Sequence, residues 1–279
     1  VTQPAQARQS KGRDDVRTYA WPPLPPHEFE VISVTSALDA GVAKPFLIGW
    51  AAKVVAECAV DDHAIVAAML EKGDTDAALS HLKGARWRNA DRKAKRGTIV
   101  HAALEAYLDG KEATPAVIEA KLEEARVPRN LWKSTAGMVA GVMEFLQDEE
   151  PEVYWSESTV YSRTHGYAGT PDLLARMRVG GTLKPVVVDV KTSPKIYNDT
   201  AAQLTAYARA DFVGQDDGTE AALVPTGEAI EHGIVVRPTP SGKYEKGVFT
   251  LTDEVYDLFL GALAVARNKG ALERSRRPS

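Results

Sequence analysis

Cysteine is nearly absent from this 279-residue chain, and Cys58 is the only one. A single thiol excludes a disulfide framework, and it excludes any zinc or iron–sulfur site built from cysteines alone. Long apolar runs are also missing: none approaches the roughly 20 residues that a membrane helix needs. The stretch Val1–Arg8 has no apolar signal core, so the expected compartment is the cytoplasm, with no membrane partner. A nucleotide-binding loop of the Gly-x-x-x-x-Gly-Lys-Ser/Thr type is missing too. The segment Ser241-Gly-Lys-Tyr244 lacks the upstream glycine and the hydroxyl, which excludes an ATP motor of that kind. There is no internal repeat. Nor is there an excess of positive charge, since the net charge is −4. That weighs mildly against a nucleic-acid binder, although clustered cations and acidic metal ligands can coexist under such a total.

What is present reads as an α/β protein: a mixed β-sheet flanked by helices, with a helical region on its N-terminal side. Residues 1–26 are polar and then proline-rich (Trp21-Pro-Pro-Leu-Pro-Pro26), which predicts an extended, disordered tail. Residues 27–270 form one domain, mainly helical over 27–150 and sheet-containing over 151–270, and 271–279 is a loose basic tail. A short strand is expected over Phe29–Val34. Helices follow from Pro45, over 62–71, 75–83, 97–108, 114–126 and 128–148. Strands come next over Val153–Ser162, Tyr167–Arg178 and Pro185–Lys191, then a helix over 200–212, strands near 230–237 and 244–251, and a helix from Asp253 to about Lys269.

Chemistry concentrates between Gly169 and Lys191. Asp172 opens one strand, and Asp189 and Lys191 close the next. Residues two apart on a strand share a face, so Asp189 and Lys191 point together while Val190 points away. Carboxylates and a lysine at a sheet edge suit a hard divalent cation, Mg²⁺ or Mn²⁺, beside a phosphate. Lys191 can stabilise developing negative charge or, with a lowered pKa, take a proton from water; the sequence leaves both roles open. Glu157 adds a carboxylate on a neighbouring strand. His101 lies on a helix face with Leu104, Glu105 and Leu108, and read alone it is a buried core histidine. Gln203 and Tyr207 share one face of the 200–212 helix. The run Arg86, Arg88, Arg92, Lys93, Lys95 and Arg96, with Trp87 inside it, is either a solvated helix face or a phosphate-tracking patch with a stacking aromatic. Cys58 reads as a small core residue.

Taken in order, these stretches resemble the PD-(D/E)XK nuclease superfamily, and specifically its RecB-like exonuclease branch. Pro171-Asp172 and Asp189-Val-Lys191 match the superfamily's signature. Gly97-Thr-Ile-Val-His101 is similar to the helix-borne histidine motif, Gly166-Tyr-Ala-Gly-Thr-Pro-Asp172 to the Gly-x-x-Asp motif, and Gln203-Leu-Thr-Ala-Tyr207 to the Gln-x-x-x-Tyr motif. Residues 30–60 resemble the N-terminal part of phage-encoded members. The resemblance implies a restriction-endonuclease-like core and a Mg²⁺- or Mn²⁺-dependent deoxyribonuclease, an exonuclease in recombination, repair or phage DNA processing. It implies His101, Asp172, Asp189 and the Val190 backbone carbonyl as ligands to one or two ions. Lys191, Asp189, Asp172 and Glu157 would be the catalytic set. Gln203, Tyr207 and the basic run from Arg86 to Arg96 would contact DNA or brace the site. DNA is the implied partner, with a single-strand annealing protein or a separate ATPase or helicase beside it. One cysteine cannot build the four-cysteine iron–sulfur cluster of some relatives. A structure-selective endonuclease or junction resolvase, and a non-catalytic DNA-binding module, are the rival readings.

Overall fold

The computed structural model describes residues 9–11, 16–22, 28–111 and 113–275, the side chains of 9–11, 272 and 273 excepted. Strands β1 (Gln9–Lys11), β2 (Arg17–Trp21) and β3 (Phe29–Ser33) come first. Helices α1 (Val34–Gly41), α2 (Phe46–Asp61), α3 (His63–Glu71), α4 (Thr75–Leu108), α5 (Pro115–Glu124) and α6 (Trp132–Glu149) follow. Next are β4 (Glu152–Ser156), β5 (Val160–Ser162), β6 (Tyr167–Gly169), β7 (Leu173–Val179) and β8 (Thr182–Val190). The remainder is α7 (Thr200–Ala208), β9 (Phe212–Gly214), β10 (Glu220–Ala221), β11 (His232–Pro238), β12 (Tyr244–Thr250), α8 (Asp253–Arg267) and α9 (Ala271–Ser275).

The strands form two mixed sheets. One has the order β12-β11-β8-β7-β4, with β8 and β11 parallel and the other pairs antiparallel. The other has the order β1-β2-β3-β6-β5-β9-β10, with β3 and β6 parallel. The α/β class expected from the sequence is what the chain adopts.

Alternation gives the five-stranded sheet two apolar faces. Leu173, Ala175, Val186, Val188, Val190, Ile234 and Val236 pack with Val100 and Leu104 of α4 and Val139, Val142 and Phe145 of α6. Leu174, Val187 and Val235 pack the opposite way, with Leu204 of α7, Leu38 of α1, and Phe259 and Leu263 of α8. The β7–β8 turn is Gly180-Gly181, both with positive φ (57° and 83°), as a two-residue hairpin turn of primed type demands.

Four expectations need correction. Residues 17–21 are not a disordered tail: β2 pairs with β3, and Tyr19, Ala20 and Trp21 are buried. The Trp21 ring packs 5.0 Å from Tyr161 and 5.6 Å from Phe212, so burial of aromatic surface outweighs the ordering entropy of the segment. Residues 1–8, 12–15 and 23–26 of that tail, and 276–279 of the basic one, lie outside the described residues. The basic run does not separate two helices. It lies inside α4, 34 residues and about 51 Å long, because its Arg and Lys are good helix formers. Helix 200–212 ends at Ala208, and Phe212 starts β9.

The fourth correction places the site. The strands expected over 153–162 and 167–178 are each cut in two. β4 and β7 belong to the five-stranded sheet, β5 and β6 to the seven-stranded one. The chain crosses between sheets at Glu157 and again at Thr170-Pro171-Asp172. Pro171 has no N–H to give to a ladder, and Glu157 adopts a left-handed φ of 47°, so regular pairing stops at both places.

Candidate active site

The two sheet crossings lie side by side, with the Glu157 N–H donating to the Asp172 carbonyl at 3.0 Å. In the β7–β8 ladder Leu173 is opposite Val188, so Asp172 and Asp189 face each other one step beyond that pair. Like charges directly opposed across two strands repel. Both carboxylates are buried, with side chains 8% and 4% exposed, which sharpens the repulsion. Cations and donors close around them. The Val190 N–H donates to Asp172 Oδ2, and Lys191 Nζ lies 2.7 Å from Asp189 Oδ2. Gln203 on α7 donates to Asp189 Oδ1 at 3.1 Å and to the Tyr207 hydroxyl at 2.9 Å.

Packing of Val100, Ala103 and Leu104 of α4 among Leu173, Val188 and Val190 carries His101 to the same place. His101 Nδ1 is 3.0 Å from Asp172 Oδ1 and 3.7 Å from Glu157 Oε1. Thus His101 is not a satisfied core histidine but faces two acids. Gly169 explains how Tyr207 fits: a Cβ there would stand 2.4 Å from Tyr207 Cε1, so only glycine lets the ring lie against β6.

These groups line one recess of about 450 Å³, together with Arg17 and Tyr19 of β2, Val34 and Thr35 of α1, and Thr170. Sequence pattern alone does not place the β2 and α1 residues at the site, and it puts 17–21 in an extended tail. The signal was there in Arg-Thr-Tyr-Ala-Trp, a β-branched and aromatic pentapeptide. Arg17 ties β2 to α1, its backbone N–H donating to Ser36 Oγ at 3.1 Å and its guanidinium to Thr35 Oγ1.

The electrostatics follow from this crowding. The Asp172 carboxylate pushes the His101 imidazole up to about 11 against the opposing effect of burial. Burial pushes Glu157 up to about 7, with His101 opposing and Asp172 adding to the rise. Burial also raises Asp189, which Lys191 only partly offsets. For Asp172, burial is outweighed by His101, Lys191 and the Val190 N–H, so its carboxyl is held below the usual range. Burial works against the Lys191 ammonium, but Asp189 and Asp172 outweigh it and hold its pKa above the ordinary value.

The donor set fits a hard divalent cation. One nitrogen and one oxygen each from His101, Glu157 and Asp172 lie within 4.8 Å of one another. Glu157 Oε1 is buried with no hydrogen-bond partner, an acceptor that the protein leaves unsatisfied. A sequence model of the PD-(D/E)XK nuclease superfamily matches residues 75–231, more than half of the chain. The chain belongs to the PD-(D/E)XK nuclease superfamily. Its fold is therefore the restriction-endonuclease-like one, with Asp172, Asp189 and Lys191 at one end of the strands of the five-stranded sheet. Membership implies a nuclease dependent on divalent metal, acting on nucleic acid. No curated protein matches the chain.

The basic run does not enter this recess. Along α4, Arg96 is about 8 Å, and Arg86 about 22 Å, from His101. Its members have separate partners. Arg96 is half-buried and donates to Thr135 and Ser134 of α6. Arg88 donates to the His81 carbonyl at 3.0 Å. Lys95 pairs with Asp91, and Lys93 lies over the Trp50 ring. Arg86 lies over the ring of Trp87, which is 66% exposed, and Arg92 is exposed. Among the described residues no helix is long and apolar enough to cross a membrane.

Proposed function

We propose that this superfamily member is a RecB-like DNA exonuclease using Mg²⁺ or Mn²⁺, in recombination, repair or phage DNA processing. The observation that carries the catalytic part is the convergence of His101, Glu157, Asp172, Asp189 and Lys191 in one recess. A bound divalent cation supplies Lewis-acid activation of the phosphodiester and of the attacking water. His101, Asp172, Asp189 and the Val190 carbonyl would hold it, with the unsatisfied Glu157 oxygen as a further ligand or as the group orienting water. Gln203 fixes the rotamer of Asp189 and is itself held by Tyr207, so this pair acts by positioning. With its ammonium form favoured by two aspartates, Lys191 is suited to neutralise charge developing on the phosphate, rather than to accept a proton.

Strand-end action is supported by the walls of the recess. α4, the β4–β5 crossing, β2 and α1 all contribute to the wall of the recess, a setting suited to a strand end. On α4, Gly97, Ala94, Ala90 and Trp87 stand at i−4, i−7, i−11 and i−14 from His101, hence on one face. Small side chains followed by an exposed tryptophan offer a strand a path with a stacking platform at its far end. Arg17 adds a guanidinium for a phosphate near the acids. A partner single-strand annealing protein, ATPase or helicase fits a nuclease without an ATP motif of its own.

The test is purified protein on 5′- and 3′-labelled linear DNA, single- and double-stranded, beside a closed circle, with Mg²⁺ or Mn²⁺. Digestion from ends with the circle intact is expected, and cutting of the circle would overturn exonuclease action in favour of an endonuclease or resolvase. Lys191→Ala should lower cleavage by about 10²–10³-fold while leaving DNA binding largely intact. Undiminished cleavage by Asp189→Ala protein would refute the assigned site.

A further inference from the structure

Far from the acids, the molecule's only cysteine is not in a plain apolar setting. Cys58 and Asp62 are four apart at the C-terminal end of α2, and so share a face. His81 of α4 meets them. His81 Nε2 is 2.8 Å from Asp62 Oδ2, and the Cys58 thiol donates to the same oxygen at 3.4 Å. Sulfur, nitrogen and oxygen all lie within 4.8 Å of one another. All three residues are half-buried, so a solute reaches them. Cys58 and Asp62 border a recess of about 170 Å³ that also holds Glu57, Asp61 and Asn89, and Asn89 Oδ1 is buried without a hydrogen-bond partner.

We infer that Cys58, Asp62 and His81 form a second metal site, selective for Zn²⁺ or a similar borderline cation, that staples α2 to α4. The chemistry differs from that of the acid cluster. A thiolate, an imidazole and one carboxylate suit Zn²⁺ in a four-coordinate arrangement, while hard Mg²⁺ prefers oxygen alone. Three protein ligands leave one position for water or for an oxygen from the recess. In the metal-free molecule the thiol hydrogen and the His81 ring both turn to Asp62 Oδ2. A cation in their midst replaces these contacts. The exchange balances: the Sγ–H bond breaks, a metal–thiolate bond forms, and one proton passes to solvent. Arg88 Nη2, 3.4 Å from Cys58 Sγ and hydrogen-bonded to the His81 carbonyl, is placed to donate to the thiolate sulfur. Burial and Asp62 keep the thiol protonated until a metal arrives. The staple would fix the α2–α4 packing, and with it the part of α4 that carries Trp87 and the basic run. The inference does not rest on the reading of the acid cluster as a DNA exonuclease site.

The single cysteine makes the test specific. Tag-free full-length protein is titrated with Co²⁺, and the near-ultraviolet absorption is followed for a thiolate-to-cobalt charge-transfer band. No other residue can produce that band, and the His101–Asp172 site contributes none. We expect one equivalent of Co²⁺ to raise the band, Zn²⁺ to bleach it, and excess Mg²⁺ to leave it in place. Competition with a zinc indicator should show affinity lower by at least about tenfold in His81→Ala and Asp62→Asn. In excess Mg²⁺, one equivalent of zinc should raise the melting temperature of the wild type by more than that of Cys58→Ala, which keeps only the His101–Asp172 site, with circular dichroism reporting that each variant folds. Absence of the band in folded wild-type protein overturns the proposal. So does a band of unchanged affinity in both His81→Ala and Asp62→Asn, which would mean that the thiolate binds alone.

Discussion

The two faces of the five-stranded sheet are made from alternate residues of the same strands, yet they end differently. Under α4 and α6, the face with Val186, Val188 and Val190 stays apolar to the last residue of β8. The opposite face begins as apolar, with Val187 and Val235 beneath α7 and α8. It then finishes on Asp189 and Lys191, with Asp172 across the ladder. The difference teaches where a fold can hold charge. Asp172 stands where the chain crosses from one sheet to the other and Asp189 at the end of β8, where the covering layer gives way to a recess that a cation can enter. A slip of one residue in β8 would turn Asp189 towards α4 and Val188 into the recess.

The comparison breaks most severely if an acid is moved to the other face. Val188→Asp would bury a carboxylate with no cation beside it, at a loss of about 3–5 kcal/mol. Denaturant melts should show a protein that is largely unfolded or much destabilised, and a wild-type melt would mean that the sealed face is not sealed. A smaller effect is expected on the charged face itself. Gly169→Ala would press a methyl group on Tyr207, overpacking the site by about 1–3 kcal/mol. Because Tyr207 holds Gln203, and Gln203 holds Asp189, cleavage should fall further than stability alone explains, with DNA binding little changed. Equal losses in both would reduce Tyr207 to a packing residue.

The smallest effect sharpens the comparison by pH. Glu157 has its pKa raised from 4.5 to about 7 in the folded, metal-free state. Between those values the folded state holds a proton that the unfolded state has lost, so this group's contribution to stability falls as pH rises from 4.5 through about 7. Glu157→Gln should flatten that decline, adding about 1 kcal/mol above pH 7 in chelator, while lowering cleavage. Mg²⁺ or Mn²⁺ should stabilise the wild type over the same range. Melts across pH, with chelator and with metal, measure both. A wild-type profile without the decline would remove Glu157 from the buried charge cluster.

The motif residues were legible in the sequence because their geometry is local. Asp189 and Lys191 share a face by strand periodicity, Gln203 and Tyr207 by helix periodicity, and the Gly180-Gly181 turn sets the hairpin that puts Asp172 opposite Asp189. The element types on either side of the hairpin were legible for the same reason. The sheet crossings were not. Val153–Ser162 and Tyr167–Arg178 read as unbroken strands, since the choice between two sheets depends on partners far along the chain. β2 was hidden likewise, its burial depending on Tyr161 and Phe212, some 140–190 residues downstream.

By itself the sequence determined the superfamily, the α/β class and the identity of the acidic and lysine residues. These follow from residue type at short spacing, where covalent geometry leaves the chain few alternatives. Tertiary structure alone decided that Arg17 and Thr35 wall the site. It alone spread the basic run along one helix among different partners, and it alone brought Cys58 to His81. Each of these contacts joins segments whose separation along the chain carries no information about their separation in space, and packing of the apolar faces sets that second distance.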